Sequence, residues 1–168
     1  MTNNSQPEMF NLETTTIWDF PVRGNWATHK PDYRGNFAPQ IPRNIILRYS
    51  KEADMVLDPM VGSGTTLIEA RLLNRNAIGI DINPNAVDIT KSRIDFKVNN
   101  SSIQSVHIGD VRRMENIPDN SIDLIVTHPP YFNLVTYSNS KNPDDLSSLS
   151  KISDYIRELG YAILELFR

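Results

Sequence analysis

Short apolar runs alternate with segments whose apolar residues recur at helical spacing, and this alternation predicts an α/β fold. The strands are predicted at 54–58, 76–81, 105–108 and 122–127. The helices are predicted from Pro39 or Pro42 to about Ser50, at 63–74, at 83–98, and from Ile152 to the end of the chain. Such an order predicts a mostly parallel sheet flanked by helices on both faces, with a ligand beyond the carboxyl ends of the strands.

Three segments lack these patterns. Residues 1–16 are polar and aperiodic, so we expect a frayed or partner-dependent lead-in, and 21–42 is a Pro- and Gly-rich loop that we expect to be ordered but irregular. Residues 138–150 contain few apolar side chains and are expected to be mobile. The predicted organisation is an irregular N-terminal segment, 1–36, followed by one catalytic domain, 37–168.

Composition narrows the functional classes. The 168 residues contain no cysteine, which excludes disulfides, thiolate metal sites and a cysteine nucleophile. His29 and His107 have no neighbours that indicate a metal cluster, so we assign them to structure and expect no metal. No apolar run approaches a membrane span and the start is polar, which predicts a cytoplasmic protein. With a net charge of -3, a nucleic acid would have to bind at a local basic patch.

The stretch from Asp58 to Thr66 follows the first predicted strand and leads into a helix. Its glycines allow close approach of the backbone to a ligand, and the helix start presents free N–H groups. The lysine of a phosphate-binding loop is missing, and Leu67 replaces the third glycine of a dinucleotide fingerprint. A cofactor without phosphates therefore fits best, although glycine turns of this kind are also common as plain structure.

Two acidic residues end the next two predicted strands. Asp81 lies where an acid accepts hydrogen bonds from ribose hydroxyls, and Asp110 is placed to accept from an adenine amino group. Either acid alone is more often a cap or turn residue. Their positions at successive strand ends, after the Asp58 turn, favour a shared nucleoside site.

The segment from Thr127 to Tyr131 carries the candidate chemistry. Pro129 and Pro130 fix the backbone and remove two N–H donors, which leaves carbonyl acceptors beside the ring of Tyr131. A nucleobase amine needs such acceptors for its N–H groups and a ring against its face. The alternative is a Pro–Pro turn with a packed tyrosine.

Together these three motifs resemble the S-adenosylmethionine-dependent amino-methyltransferases of DNA, which make N4-methylcytosine or N6-methyladenine. The resemblance extends from about Phe37 to Asn133. It implies a Rossmann-like methyltransferase fold, S-adenosyl-L-methionine as cofactor, and DNA with a flipped base as partner. The implied catalytic residues are His128, Pro129, Pro130 and Tyr131. The implied cofactor-binding residues are Phe37, Ala38, Pro39, Asp58, Pro59, Gly62, Ser63, Gly64, Thr65, Thr66, Asp81, Ile82, Asp110 and Val111.

The sequence departs from this family at His128, where Asp, Asn or Ser is usual. The preceding Thr127 is closer to the cytosine-N4 enzymes, so methylation of cytosine N4 is favoured over adenine N6. The 5-methylcytosine enzymes are excluded, because they need a cysteine nucleophile. An RNA or protein-glutamine amino-methyltransferase, or an inactive cofactor-binding subunit, remain the alternatives.

The chain supplies about four of the seven strands of that fold. The fourth predicted strand is apolar on both faces and would leave an unpaired edge. We therefore expect the fold to be incomplete in this chain, with the edge covered by a second polypeptide, by a missing C-terminal part or by another copy.

Overall fold

The computed structural model describes residues 6–132, 134–135, 137 and 142–168. Four parallel strands form one sheet in the order β3-β2-β1-β4. The strands are β1 (Met55–Asp58), β2 (Asn76–Asp81), β3 (Gln104–Ile108) and β4 (Leu124–Ile125). The helices are α1 (Gln40–Tyr49), α2 (Thr65–Leu72), α3 (Pro84–Ile94) and α4 (Ile152–Glu165). The predicted α/β class and parallel sheet are confirmed.

Helix α2 lies at the centre of the molecule, and seven of its eight residues are buried. Two of its buried apolar side chains, Leu67 and Ala70, pack in one core cluster with Val56 of β1 and Ala77 of β2. The helix begins directly after Gly64, whose left-handed backbone, φ 84°, turns the chain from the sheet into the helix. The turn that precedes α2 is thereby held at the carboxyl end of β1.

A buried carboxylate on α2 attaches the irregular N-terminal segment to the domain. Glu69 is fully buried, and its Oε1 accepts hydrogen bonds from Trp26 Nε1 at 2.6 Å and contacts His29 Nε2 at 2.7 Å. Its Oε2 accepts from Arg43 Nη1 of α1 at 2.8 Å. His29, which we assigned to structure, lies in this network. The described residues before α1 contain no helix or strand, so these polar contacts stabilise their path.

The expectation of a frayed start is wrong for the described residues 6–16. Gln6 Nε2 donates to the Leu72 carbonyl oxygen at 2.7 Å, and the Glu13 amide donates to Asn44 Oδ1 at 2.7 Å. Both contacts bring the segment back to the helices of the domain. Residues 1–5 lie outside the described residues.

The expectation that residues 138–150 are mobile is also contradicted for their described part, 142–150. A short 3₁₀ helix, Leu146–Ser148, is capped by Asp145, whose Oδ1 accepts from the amide and the hydroxyl of Ser147 at 2.8 and 2.7 Å. Leu146 is buried. This segment can be ordered with few apolar side chains, because Asp145 accepts a hydrogen bond from a backbone amide at the start of the short helix. Residues 138–141 lie outside the described residues.

Several elements are shorter than predicted. Helix α2 spans Thr65–Leu72 within the predicted 63–74, and α4 ends at Glu165. Helix α3 ends at Ile94 rather than near Val98, and β4 is limited to Leu124–Ile125 within the predicted 122–127. Among the described residues, β4 pairs only with β1 and forms one edge of the sheet. Its coverage by another polypeptide, by a missing part or by a second copy stays a prediction. None of the helices in the described ranges is long and apolar enough to cross a membrane.

Candidate cofactor and target-base site

A cleft opens at the carboxyl ends of the strands. It is lined by the turn after β1, by the ends of β2 and β3, and by His128 and Pro130. The N-terminal segment contributes Tyr33 and Phe37 to the lining. This is the position expected of a small-molecule site in a parallel α/β sheet.

The glycine turn depends on residues that lack a side chain. Gly62 has φ 52°, and a Cβ there would lie 3.3 Å from the Tyr33 ring. At Gly64, φ 84°, a Cβ would lie 2.8 Å from Thr90 of α3. The Thr90 hydroxyl also donates to the Gly62 carbonyl oxygen at 3.0 Å. The backbone can therefore approach a ligand at Gly62 in a conformation that α3 supports.

Asp81 connects the glycine turn with the start of α3. Its Oδ2 accepts from the Gly62 amide at 2.8 Å, and its Oδ1 accepts from the Asn83 amide at 2.9 Å. Burial raises the pKa of Asp81, while these two amide hydrogen bonds oppose that rise. Because an ionised carboxylate can accept about four hydrogen bonds, Asp81 can shape the turn and still accept from a ligand hydroxyl.

Asp110 is held by an arginine. Arg112 donates to both carboxylate oxygens through its guanidinium, at 2.9, 3.1 and 2.6 Å, and through its backbone amide at 2.9 Å. Burial alone would raise the pKa of Asp110, but the hydrogen bonds and charge of Arg112 outweigh it and lower the pKa. Arg112 also bonds Glu158 of α4 at 2.5 Å. Asp110 is thus an ionised acceptor in a fixed orientation.

Asp58 is buried beneath the turn rather than facing the cleft, with 1% of its surface exposed. Burial raises its pKa to about 6, against the opposing influence of Thr66, the Met60 amide and Thr127. The Met60 amide lies 3.3 Å from Oδ1. The hydroxyls of Thr66 and Thr127 are buried without an aligned hydrogen bond, although both lie close enough to lower this pKa. Asp58 therefore supports the turn from below.

The His–Pro–Pro–Tyr loop follows β4 after Val126 and Thr127. The imidazole of His128 stacks on the Phe37 ring with centroids 5.3 Å apart, and its Nε2 lies 3.0 Å from the Tyr131 hydroxyl. The Tyr131 ring meets the imidazole edge-on and is 41% exposed. His128 is thus held between the N-terminal segment and the loop tyrosine, and an aromatic face remains open to solvent.

One wall of the cleft was missed by the sequence reasoning. Tyr33, Asn36, Tyr137 and Leu146 line it, together with the buried Asp145. Tyr33 lies under Tyr137, with ring centroids 6.5 Å apart, and burial raises the pKa of Tyr33. The only sequence signal was the occurrence of aromatic residues within irregular loops, which does not show which loops meet.

The predicted site residues divide into two groups. Those that line the cleft are Phe37, Pro59, Gly62, Ser63, Thr65, Asp81, Ile82, Asp110, Val111, His128 and Pro130. Those outside its lining are Ala38, Pro39, Asp58, Gly64, Thr66, Pro129 and Tyr131. Asp58 and Thr66 are outside it because they are buried below the turn, and Pro39 because it is buried at the start of α1. The predicted roles in binding and catalysis stay predictions.

The charge of the lining restricts what the cleft can hold. Four carboxylates lie in it, those of Asp81, Asp110, Asp144 and Asp145, and none of the described lining residues is Lys or Arg. Such a lining disfavours a pyrophosphate and favours a ligand that carries positive charge and hydroxyl or amino donors. S-adenosylmethionine, with its sulfonium, ribose and adenine, fits this set of groups.

Comparisons with known proteins agree with this site. A family model described as DNA methylase, of the N6 and N4 type, matches residues 2–92, and a model described as methyltransferase domain matches residues 50–168. The first match begins well before Phe37, where the resemblance in the sequence began. The cofactor of this group, S-adenosyl-L-methionine, is the one predicted.

Several curated relatives are Type II methyltransferases. M.HpaI of Haemophilus parainfluenzae is 36% identical over 125 residues, which are 70% of this chain and 36% of the relative. M2.DpnII of Streptococcus pneumoniae is 40% identical over 72 residues, 43% of this chain and 24% of the relative. A tRNA (guanine(10)-N2)-dimethyltransferase of Methanothermobacter thermautotrophicus is 32% identical over 106 residues, 59% of this chain and 29% of the relative.

The chain spans about a third or less of the length of these relatives. Among solved structures, a putative S-adenosyl-L-methionine-dependent methyltransferase from Methanococcus maripaludis matches 74% of this chain and 49% of its own, with 24% identity and a TM-score of 0.48. The parallel sheet and the methyltransferase-domain match establish the Rossmann-like methyltransferase fold. The DNA methylase model matches more than half of this chain's residues. The chain therefore belongs to the DNA methylase family of amino-methyltransferases.

Proposed function

We propose that this chain carries the cofactor and catalytic motifs of a DNA methyltransferase that methylates an exocyclic base amine, cytosine N4 in preference to adenine N6. The observation that carries the proposal is the opening of the His128–Pro130 loop onto the same cleft as the Gly62 turn and Asp81. Amine acceptors and a nucleoside-type site are thereby adjacent. The preference for cytosine rests on the Thr127 context, since the family model covers both N6 and N4 enzymes.

The cofactor would be held by this chain's own polar groups. Asp81 would accept from the ribose hydroxyls, Asp110 from the adenine amine, and the backbone at Gly62 would approach closely. When bound, S-adenosylmethionine supplies an electrophilic methyl group on its sulfonium. The acidic lining favours that positive charge until transfer neutralises it.

The loop would orient the amine of a base flipped out of DNA. Tyr131 would stack on the base, and the Pro129 carbonyl and His128 would accept hydrogen bonds from the amine, so that its lone pair points into the cleft. If His128 Nε2 donates to the Tyr131 hydroxyl, Nδ1 keeps its lone pair for the amine. The nitrogen would gain the methyl group as the carbon–sulfur bond to that methyl breaks, and its surplus proton would pass to His128 or to solvent; catalysis would come mainly from positioning.

A methylation assay tests the proposal. The chain is incubated with S-adenosylmethionine carrying a labelled methyl group and with mixed DNA, tRNA or protein, and the products are digested and separated. Labelled N4-methylcytosine in DNA is the expected product. N6-methyladenine would keep the function but overturn the cytosine preference, and absence of transfer with retained cofactor binding would identify an inactive binding subunit.

A second candidate, methylation of an RNA base amine, is favoured by the relative named as a tRNA guanine-N2 dimethyltransferase. The same site chemistry serves a guanine N2 amine, since the loop presents acceptors and a ring rather than a base-specific donor. Label that appears in tRNA and not in DNA would decide for this candidate. The DNA methylase family match makes DNA the first choice.

A further inference from the structure

The side chain of Tyr155 reaches from α4 to the His–Pro–Pro–Tyr loop. Its hydroxyl donates a hydrogen bond to the Pro130 carbonyl oxygen at 2.6 Å, across 25 residues of sequence. Building on the proposed function, we infer that Tyr155 is a positioning residue for methyl transfer, which holds the loop so that Tyr131 and the Pro129 carbonyl meet the target amine in one fixed arrangement.

The loop needs such a support because it has little of its own. The last sheet hydrogen bond before it runs from the Val126 amide to the Leu57 carbonyl oxygen. Beyond it, the described part of the loop has one hydrogen-bonded turn after Tyr131 and a hydrogen bond between the Tyr131 backbone and the Tyr137 hydroxyl, neither of which involves Pro129 or Pro130. Pro129 and Pro130 have no N–H to donate, so these two residues can be held only through their carbonyls and side chains.

Tyr155 contacts the loop on both sides of Tyr131. Its hydroxyl binds Pro130, the residue before Tyr131, and its ring packs against Phe132, the residue after, with centroids 5.5 Å apart. One side chain thus fixes the backbone that carries the exposed Tyr131 ring. The bond to Tyr155 uses one lone pair of the Pro130 carbonyl, and it leaves the Pro129 carbonyl and His128 as the proposed acceptors for the amine.

Helix α4 is itself anchored one turn further on. Glu158 accepts from Arg112, the residue that holds Asp110 at the adenine side of the cleft. The same helix therefore contacts both ends of the site, through Glu158 and through Tyr155. Burial raises the pKa of Tyr155, which keeps its hydroxyl protonated and able to donate.

The experiment compares Tyr155→Phe with a matched control, Tyr161→Phe. The first variant keeps the ring packing against Phe132 and removes only the hydroxyl, whereas Tyr161 lies on the same helix with 51% of its surface exposed. Single-turnover methyl transfer is measured at saturating cofactor and substrate, and cofactor affinity by calorimetry. We expect Tyr155→Phe to slow transfer roughly threefold to tenfold, the worth of one hydrogen bond, with cofactor affinity unchanged. Tyr161→Phe should match the wild type.

A second measurement follows the contact itself. With ¹³C at the proline carbonyls, the Pro130 carbonyl resonance should move in Tyr155→Phe and stay in place in Tyr161→Phe. A Tyr155→Phe variant that transfers methyl at the wild-type rate overturns the inference, whether or not the resonance moves, and an unmoved resonance overturns it as well. A wild-type chain that methylates neither DNA nor tRNA overturns the proposed function, whereas equal rates for an active wild type and Tyr155→Phe overturn the inference alone, so the two failures are distinguishable.

Discussion

Replacing Asp58 with asparagine should stabilise the folded chain at neutral pH. Asp58 is 1% exposed, and burial raises its pKa to about 6 from an ordinary 3.8. Between these two values the folded state binds more protons than the unfolded state, so stability falls as pH rises through this window. At about 1.4 kcal/mol per pH unit, keeping the carboxylate ionised costs about 3 kcal/mol at pH 7 and above.

Asparagine has nearly the same size but does not ionise, so its variant lacks this cost. The difference in free energy of unfolding between Asp58→Asn and the wild type should grow with pH by about 3 kcal/mol in all, of which about 2 kcal/mol falls between about pH 4.5 and 8. Below the ordinary pKa of 3.8 both proteins carry a neutral group there, and the pH-dependent difference disappears.

Urea titrations of the wild type and the variant at several pH values measure this difference directly. Asp88→Asn, an exposed aspartate on α3, is the matched control and should give a curve parallel to the wild type. If the Asp58→Asn curve also ran parallel to the wild type, the carboxylate would not have a raised pKa, and the argument from its burial would fail.

Three further changes test the site and its support. Glu69→Ala should destabilise the fold by about 3 to 5 kcal/mol, because Arg43 loses its buried partner, and thermal or urea unfolding would show it; a loss below 1 kcal/mol would contradict this. Asp81→Ala should weaken binding of S-adenosylmethionine by about 1.5 to 3 kcal/mol in calorimetry; equal affinity in a folded variant would remove it from the site. Tyr131→Phe should slow transfer by roughly threefold to tenfold because the contact with His128 Nε2 is lost, and Tyr131→Ala should slow it further through lost stacking; equal rates for Phe and wild type would refute the role of the hydroxyl.

The order of strands and helices could be predicted because the spacing of apolar residues and the positions of glycines in turns are local properties of the sequence. The parallel sheet followed from the alternation, and Asp81 and Asp110 were placed on one cleft because the carboxyl ends of parallel strands share an edge. The burial of individual side chains at this edge could not be predicted in the same way. Asp58 ends a strand as Asp81 does, and Asp110 follows the end of β3, but only Asp58 lies beneath the turn, and the three-dimensional path of the turn buries its carboxylate.

The aromatic wall of the cleft shows a second limit. Tyr33 and Tyr137 lie more than a hundred residues apart in loops without a repeating pattern, and no local rule pairs them. The burial of Glu69 could not be predicted from the local pattern either, because a glutamate on a helix is usually exposed. Its burial follows from the N-terminal segment, which brings Trp26 and His29 over α2. Irregular segments thus determine which polar residues of regular elements become buried.

His128 is where the N-terminal segment and the loop meet. Phe37 covers one face of the imidazole, while the Tyr131 hydroxyl contacts its Nε2. A small acidic or amide side chain at this position could hydrogen bond to an amine but could not stack on Phe37, so histidine adds a contact between the cover of the cofactor cleft and the loop that would hold the base. Any displacement of Phe37 would then move the imidazole. Histidine at position 128, where the family usually has Asp, Asn or Ser, is therefore compatible with an active site in which one imidazole ring aligns Phe37 with the loop. It gives no physical reason to expect an inactive subunit.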